Sequence, residues 1–176
     1  MNHYKKKLHT IKAFAFDVDG VLTDGTVQVS DNGDLLRAYN AKDGLAIREA
    51  VDAGYPIAII TGGASETIVR RFTTLGVKDT DIYLRSRLKT PDLSDFCRKY
   101  GLQPAEVIFV GDDLPDIAPM QHCGLPCCPA DAVPEVQAVA AYISPCNGGC
   151  GCVRDIIEQT LKIQGKWNME TPPAST

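Results

Sequence analysis

IKAFAFDVDGVLTDG, residues 11–25, starts as an apolar run and ends in acids and glycines. Ile11–Phe16, apolar but for Lys12, has the character of a strand buried on both faces. The chain then sets Asp17 and Asp19 two positions apart and breaks at Gly20. A strand ending in Asp-x-Asp-Gly presents carboxylates at the rim of a sheet, where backbone can also approach a ligand. Two acids this close do not both stay comfortably ionised without a cation. The simplest is a hard ion that prefers oxygen ligands, such as Mg²⁺. An aspartate held against that ion and pointed at phosphorus can act as a nucleophile, giving an aspartyl-phosphate. The second carboxylate is then free to serve as general acid and base.

Two further apolar runs repeat the pattern. PIAII, residues 56–60, leads into Thr61-Gly62-Gly63, and VIFV, residues 107–110, leads into Gly111-Asp112-Asp113. Between and after them the sequence predicts helices at 45–53, 65–75, 89–100, about 114–122, near 133–140 and 153–164. Further strands are expected at 81–84 and 141–144. Two short strands, 26–29 and 35–40, flank Ser30-Asp31-Asn32-Gly33-Asp34, and Asn-Gly is a hairpin signal. Strand and helix otherwise alternate from end to end. That pattern predicts one α/β domain over residues 1–176: a flavodoxin-like, or Rossmann-like, three-layer sandwich around a parallel sheet, with a protruding hairpin at about 26–40. Residues 1–10 are expected to be a loose leader and 166–176 a flexible tail.

In such a sheet, ligands bind outside the carboxyl ends of the strands. Asp17, Asp112 and a backbone carbonyl of the Asp-x-Asp turn can supply oxygens to Mg²⁺, with phosphate and water completing its shell. Thr61 can donate its hydroxyl to a phosphate oxygen, and Gly62 lets a backbone N–H come close. Lys89, at the start of a predicted helix, is the best-placed cation for a phosphate dianion. Asp113 and Asp116 are candidates for holding Lys89 or a metal-bound water, against the plainer alternative of helix-start acids favoured by the dipole.

The chain has 176 residues, 44% hydrophobic and 23% charged, with a formal net charge of −4. That balance argues against nucleic-acid or anionic-membrane partners. No apolar run is long enough to span a bilayer, and MNHYKKKLHT has no secretory apolar region, so the expected location is cytoplasmic. The seven cysteines accordingly read as reduced thiols. Cys146-x3-Cys150-x-Cys152 and His122 offer soft ligands, but the spacings do not form two chelating pairs, so zinc is not expected. The three histidines fall at no predicted strand end.

DVDGVLTDG, ITGG, a lone lysine and GDDLPD together resemble, in order, the four motifs of the haloacid dehalogenase superfamily of phosphatases. The intervals leave no room for a cap domain, which resembles the capless subclass. Within it, the hairpin followed by YNAKDG, the LGV after the second helix, GDDLPD and the late GG-x-G-x-VRD closely resemble the family of 3-deoxy-D-manno-octulosonate 8-phosphate phosphatases over residues 11–165.

The resemblance implies Asp17 as nucleophile and Asp19 as general acid/base. It implies Asp17, the main-chain carbonyl of Asp19, and Asp112 as Mg²⁺ ligands, and Thr61 and Lys89 as phosphate-binding residues. Asn40, Ala41, Lys42, Asp43, Gly44, Arg48 and Arg71 match sugar-phosphate positions. Arg48 and Arg71 lie on predicted helices, where an exposed arginine is the ordinary case, and Lys42 reads as solvated. The resemblance also implies a homotetramer whose hairpin, here 26–40, closes a neighbour's site, and a C-terminal tail that visits it.

Two departures stand out. Gly63 occupies a position where many relatives carry a substrate-touching arginine, and Cys150 and Cys152 lie in the glycine loop. The expected reaction is therefore hydrolysis of an acidic sugar phosphate. The eight-carbon keto-acid 8-phosphate is favoured, a nine-carbon keto-acid 9-phosphate stays open, and a non-catalytic Mg²⁺-binding assembly module is the alternative of a different class.

Overall fold

The computed structural model describes residues 3–167. Along the chain the elements are α1 (His3–Leu8), β1 (Ala13–Phe16), β2 (Gln28–Val29), β3 (Leu35–Leu36), α2 (Ala41–Asp52), β4 (Ile57–Ile60), α3 (Glu66–Thr73) and β5 (Ile82–Tyr83). There follow α4 (Lys89–Tyr100), β6 (Val107–Val110), α5 (Ile117–His122), β7 (Leu125–Cys128), α6 (Pro134–Val139), β8 (Tyr142–Ile143) and α7 (Cys152–Ile163).

The continuous apolar runs become one six-stranded sheet in the order β5-β4-β1-β6-β7-β8. Every pairing in it is parallel. Phe14 stands opposite Ile57 on one side and Ile108 on the other, which puts β1 at the centre. Counted along the chain, the sheet strands run 3-2-1-4-5-6, the Rossmann-like order rather than the flavodoxin-like one. The order reverses between β1 and β6. Ligand crevices form at such a point, so Asp17 and Asp112, which follow these two strands, flank the crevice.

The two-residue period of a strand sends alternate side chains to opposite faces. Phe14, Phe16, Ile59 and Val110 pack with Ile47 of α2, Phe72 of α3 and Ile157 of α7. Ala13, Ala15, Ala58 and Phe109 pack with Leu93 and Phe96 of α4, Met120 of α5 and Val136 of α6. The three-layer sandwich follows from these two apolar faces.

Several boundaries differ from expectation for identifiable reasons. Helix α2 begins at Ala41, before Lys42-Asp43-Gly44, because the Asn40 side chain caps it by accepting from the Lys42 N–H at 2.8 Å. Such a cap stabilises a helix by about 1 kcal/mol. The leader is not loose over residues 3–8. Leu8 is buried, the Tyr4 ring stacks on Tyr142 at 4.6 Å, and the Tyr4 hydroxyl donates to Gln159 Oε1. Tyr4 and Leu8 share a helix face at i and i+4, but the lysines between them weaken the apolar signal.

The hairpin strands are two residues each, shorter than 26–29 and 35–40, with Val29 opposite Leu35. Val29, Leu35 and Leu36 are exposed, so little of this chain packs over the ribbon. The segment 114–122 divides into a tight 3₁₀ turn, Leu114–Asp116, and α5. Most of the expected tail, residues 168–176, lies outside the described residues. Trp167 packs on its own chain, with the Arg154 guanidinium 5.5 Å from its ring centroid. Among the described residues no helix is long and apolar enough to cross a membrane.

Candidate active site

The backbone N–H of Asp17 donates to Val110 O at 3.0 Å, which carries the β1–β6 ladder one residue beyond β1. That bond fixes the buried Asp17 carboxylate at the crevice. Lys89 opens α4 and reaches back, its Nζ 2.8 Å from Asp17 Oδ1 and 2.7 Å from Asp116 Oδ1. The other oxygen of Asp116 accepts from the N–H groups of Asp112 and Asp113 at 3.1 and 3.3 Å. Asp116 is therefore more than a helix-start charge: it holds Lys89 on one side and the turn after β6 on the other. Asp113 instead caps that turn, accepting from the Leu114 N–H at 2.7 Å.

Asp17, Asp112 and Asp116 each offer a carboxylate oxygen within 4.8 Å of the others. Burial raises the Asp17 carboxyl above its ordinary range, Asp116 adds to the rise, and Lys89 opposes it. Burial, then the Asp17 charge, raises Asp112 likewise. Asp112 Oδ1 is buried with no hydrogen-bond partner. A partnerless buried oxygen facing another carboxylate is what a divalent cation would satisfy. The all-oxygen donor set suits a hard ion. Asp116 is already engaged by an ammonium and two N–H groups, which leaves Asp17 and Asp112 as the fitting pair.

Glycines let the loops close on this cluster. Gly20 has φ +87°, and a Cβ there would lie 1.9 Å from Asp112 Oδ2. A Cβ on Gly148 would lie 1.9 Å from the Gly20 carbonyl oxygen. The late glycine loop thus sits directly beneath the Asp-x-Asp turn, and the Gly149 N–H donates to Val21 O.

Thr61 is buried at the end of β4, its hydroxyl accepting from the Gly63 N–H at 3.1 Å. No neighbouring atom lies within 4 Å of where a Gly62 Cβ would stand. A cleft of about 490 Å³ brings Asp17, Asp19, Thr61, Gly62, Lys89 and Asp112 together, with Asp113 and Asp116 at its wall.

Sequence reasoning missed Ser86, Arg87 and Arg37. The first two line the same cleft. Arg85 before them has φ +55°, unusual for a non-glycine, and its N–H donates to Gly63 O while the Ser86 N–H donates to Thr61 O. The available signal was their place just after a parallel strand, where ligand-facing residues fall. Arg37 Nε and Nη2 donate to Asp19 Oδ1 and Oδ2 at 2.6 and 3.0 Å. Nothing local in the sequence marks that pairing.

Asn40, Ala41, Lys42, Asp43, Gly44, Arg48 and Arg71 do not line this cleft. Asn40 Nδ2 donates to Gly149 O, and the buried Asp43 accepts from the N–H groups of Gly151 and Arg154. These two residues anchor the glycine loop. Gly44 abuts the Arg71 guanidinium, which also lies 5.9 Å from the Tyr39 ring centroid. Arg48 donates to Thr74 O, and Lys42 borders a separate groove with Cys150 and Arg154. The seven cysteines are free thiols, and none joins a metal-ligating cluster among the described residues.

The chain belongs to the haloacid dehalogenase-like hydrolases, whose family model matches residues 37–124, from the hairpin through Thr61, Lys89 and Asp112. A 3-deoxy-D-manno-octulosonate 8-phosphate phosphatase of Salmonella typhi is 37% identical over 164 residues, covering 93% of this chain and 86% of that one. The crystal structure of such a phosphatase from Moraxella catarrhalis, in complex with magnesium ion, phosphate ion and KDO, superposes with a TM-score of 0.89. It is 33% identical and covers 94% of both chains. A cobalt-bound phosphatase of this kind from Haemophilus influenzae gives a TM-score of 0.86 at 31% identity, covering 90% of this chain and 92% of that one. Within the hydrolases, the chain is thus a member of the 3-deoxy-D-manno-octulosonate 8-phosphate phosphatase family.

Proposed function

We propose that the chain is a Mg²⁺-dependent phosphomonoesterase that converts 3-deoxy-D-manno-octulosonate 8-phosphate to the free keto-sugar acid and phosphate, a step toward lipopolysaccharide precursors. Family membership supports the substrate. The observation that carries the chemistry is the Lys89 ammonium between Asp17 and Asp116, beside the partnerless oxygen of Asp112.

In this reading Asp17 attacks phosphorus in line. The phosphorus–alkoxide bond breaks as the Asp17–phosphorus bond forms, and Asp19 gives its proton to the leaving oxygen. Asp19 then takes a proton from water, whose oxygen attacks the aspartyl-phosphate and frees phosphate and Asp17. Lys89, the Thr61 hydroxyl and the Gly62 N–H bind phosphoryl oxygens. Mg²⁺, held by Asp17, the main-chain carbonyl of Asp19 and Asp112, would supply positive charge against the carboxylates and the phosphoryl group. Asp116 keeps Lys89 charged and aimed. Arg87 and Lys89 give an anionic substrate positive groups at the cleft in a chain whose formal net charge is −4.

In this reading the chain forms a homotetramer joined through the hairpin, and the exposed Val29, Leu35 and Leu36 support a contact between copies there. The test is phosphate release with Mg²⁺ from eight-carbon and nine-carbon keto-acid phosphates side by side. Preference for the eight-carbon acid is expected. Preference for the nine-carbon acid would reassign the substrate, and no release from either by folded protein would refute the phosphatase.

A further inference from the structure

Asp19 and Arg37 are each other's sole side-chain hydrogen-bond partners among the described residues. The guanidinium meets the carboxylate side-on. The Arg37 side chain is 4% exposed, whereas Asp19 is one-third exposed and faces the cleft. The remaining arm, Nη1, is buried with no partner. Leaving a buried guanidinium arm unpaired is costly, and an arginine serving only to fasten the hairpin would be expected to find acceptors for it. Arg37 directly follows the second hairpin strand, each strand being two residues long.

Gly63 completes the arrangement. A Cβ there would lie 3.3 Å from Arg37 Nη2, 3.4 Å from Thr61 Oγ1 and 3.1 Å from Ile68 Cδ1. The bare backbone at 63 leaves the room in which the guanidinium lies.

We infer that Arg37 is a positioning residue for the reaction: it fixes the orientation of the Asp19 carboxylate through the side-on pair, in space that Gly63 keeps open. The inference rests on Asp19 acting as the proton-transfer group of the proposed phosphatase. A carboxylate has about four lone-pair sites, so the pair leaves one on each oxygen for the transferred proton. Without Arg37, nothing among the described residues would hold that carboxylate, and a misplacement of about 1 Å in such a group can cost about 10²-fold.

The test compares two esters. An alkyl phosphate, the eight-carbon keto-acid phosphate, needs its leaving oxygen protonated; p-nitrophenyl phosphate does not. Arg37→Ala is expected to lose about 10²-fold in kcat/KM on the alkyl ester but to stay within about threefold on the aryl ester. Added guanidinium ion is expected to restore the alkyl activity by about tenfold. A purely structural role would lower both esters together and would not respond to guanidinium; that result, or unchanged activity, overturns the inference. Should Arg37→Ala fail to fold, Arg37→Met, which keeps much of the side chain's bulk but has no donor for Asp19, carries the same ester-dependent expectation, and equal effects on both esters overturn it. Wild-type protein inactive on both esters would refute the phosphatase reading itself. Active wild type with an unselective Arg37→Ala would refute this inference alone.

Discussion

The Lys89 ammonium lies 2.8 Å from Asp17 Oδ1 in a setting where both side chains are almost fully buried. Burial alone would lower the lysine pKa. Asp17 and Asp116 outweigh it and hold the ammonium above its ordinary value. The charge is therefore present at any working pH. A buried ion pair often gains little stability after desolvation, so in the proposed reaction the pair answers a demand of the chemistry rather than of the fold.

Lys89→Met tests that demand. Removing the cation leaves Asp17 and Asp116 facing each other without an offset. Phosphate release is expected to fall by about 10²–10³-fold or more, the scale for losing one group that stabilises transition-state charge. Breaking a buried pair on one side also costs up to about 3–5 kcal/mol of stability, less where a carboxyl protonates. Steady-state kinetics and a thermal melt check both, and wild-type kcat would contradict the assigned role.

The metal-free protein should show a defined pH dependence. Burial pushes Asp17 up to about 7, and Asp112 to about 8, so the folded state binds protons that the unfolded chain releases near its ordinary carboxylate range. The sign is that of raised acids. Their contribution to stability is full below the unfolded value, near pH 4 (about 3.9), and is lost as pH rises through 7 to 8. Mg²⁺ favours the ionised pair, so its stabilising shift in melting temperature should grow from pH 6 to pH 9. An Mg²⁺ shift that does not change with pH would contradict the ligand assignment.

Gly148→Ala should disturb the catalytic turn from a distance in sequence. The added Cβ would lie 1.9 Å from the Gly20 carbonyl oxygen, and backbone cannot swing aside as a side chain can. A stability loss of at least about 1–3 kcal/mol is expected from the overpacking. A fall in kcat should accompany it as the Asp19–Gly20 turn shifts. A variant with unchanged melting temperature and kcat would show that the glycine loop does not support that turn.

Asp43→Asn separates anchoring from substrate binding. Asp43 is buried and accepts from two backbone N–H groups of the glycine loop and α7. An amide cannot turn acceptor oxygens to both, so a loss of about 1–3 kcal/mol is expected, with KM for the sugar phosphate little changed. A stable variant with sharply raised KM would favour direct contact with substrate.

The fold was legible where physics is local. Pro56–Ile60 and Val107–Val110 are continuous apolar runs, Ile11–Phe16 is one broken only by Lys12, and each became a central strand with one trimmed end at most of two residues. Lys89 was placed because it opens a helix after a strand, which orients it toward the crevice. What escaped depends on partners far away in sequence. The apolar residues of α1 are scattered among lysines, and the capping by Asn40 competed with the glycine at 44. The Asn40 and Asp43 bonds to the glycine loop cross more than a hundred residues. Arg37 sits in a short exposed ribbon whose pattern gives no hint that its guanidinium turns inward to Asp19.

The most direct test of the central claim is phosphate release from the eight-carbon keto-acid 8-phosphate, with Mg²⁺, by wild type and Asp17→Asn. The two should share secondary structure by circular dichroism. The account predicts release by wild type and none by Asp17→Asn, since the amide cannot attack phosphorus as the carboxylate does. A folded Asp17→Asn that still releases phosphate at the wild-type rate would contradict Asp17 as the nucleophile.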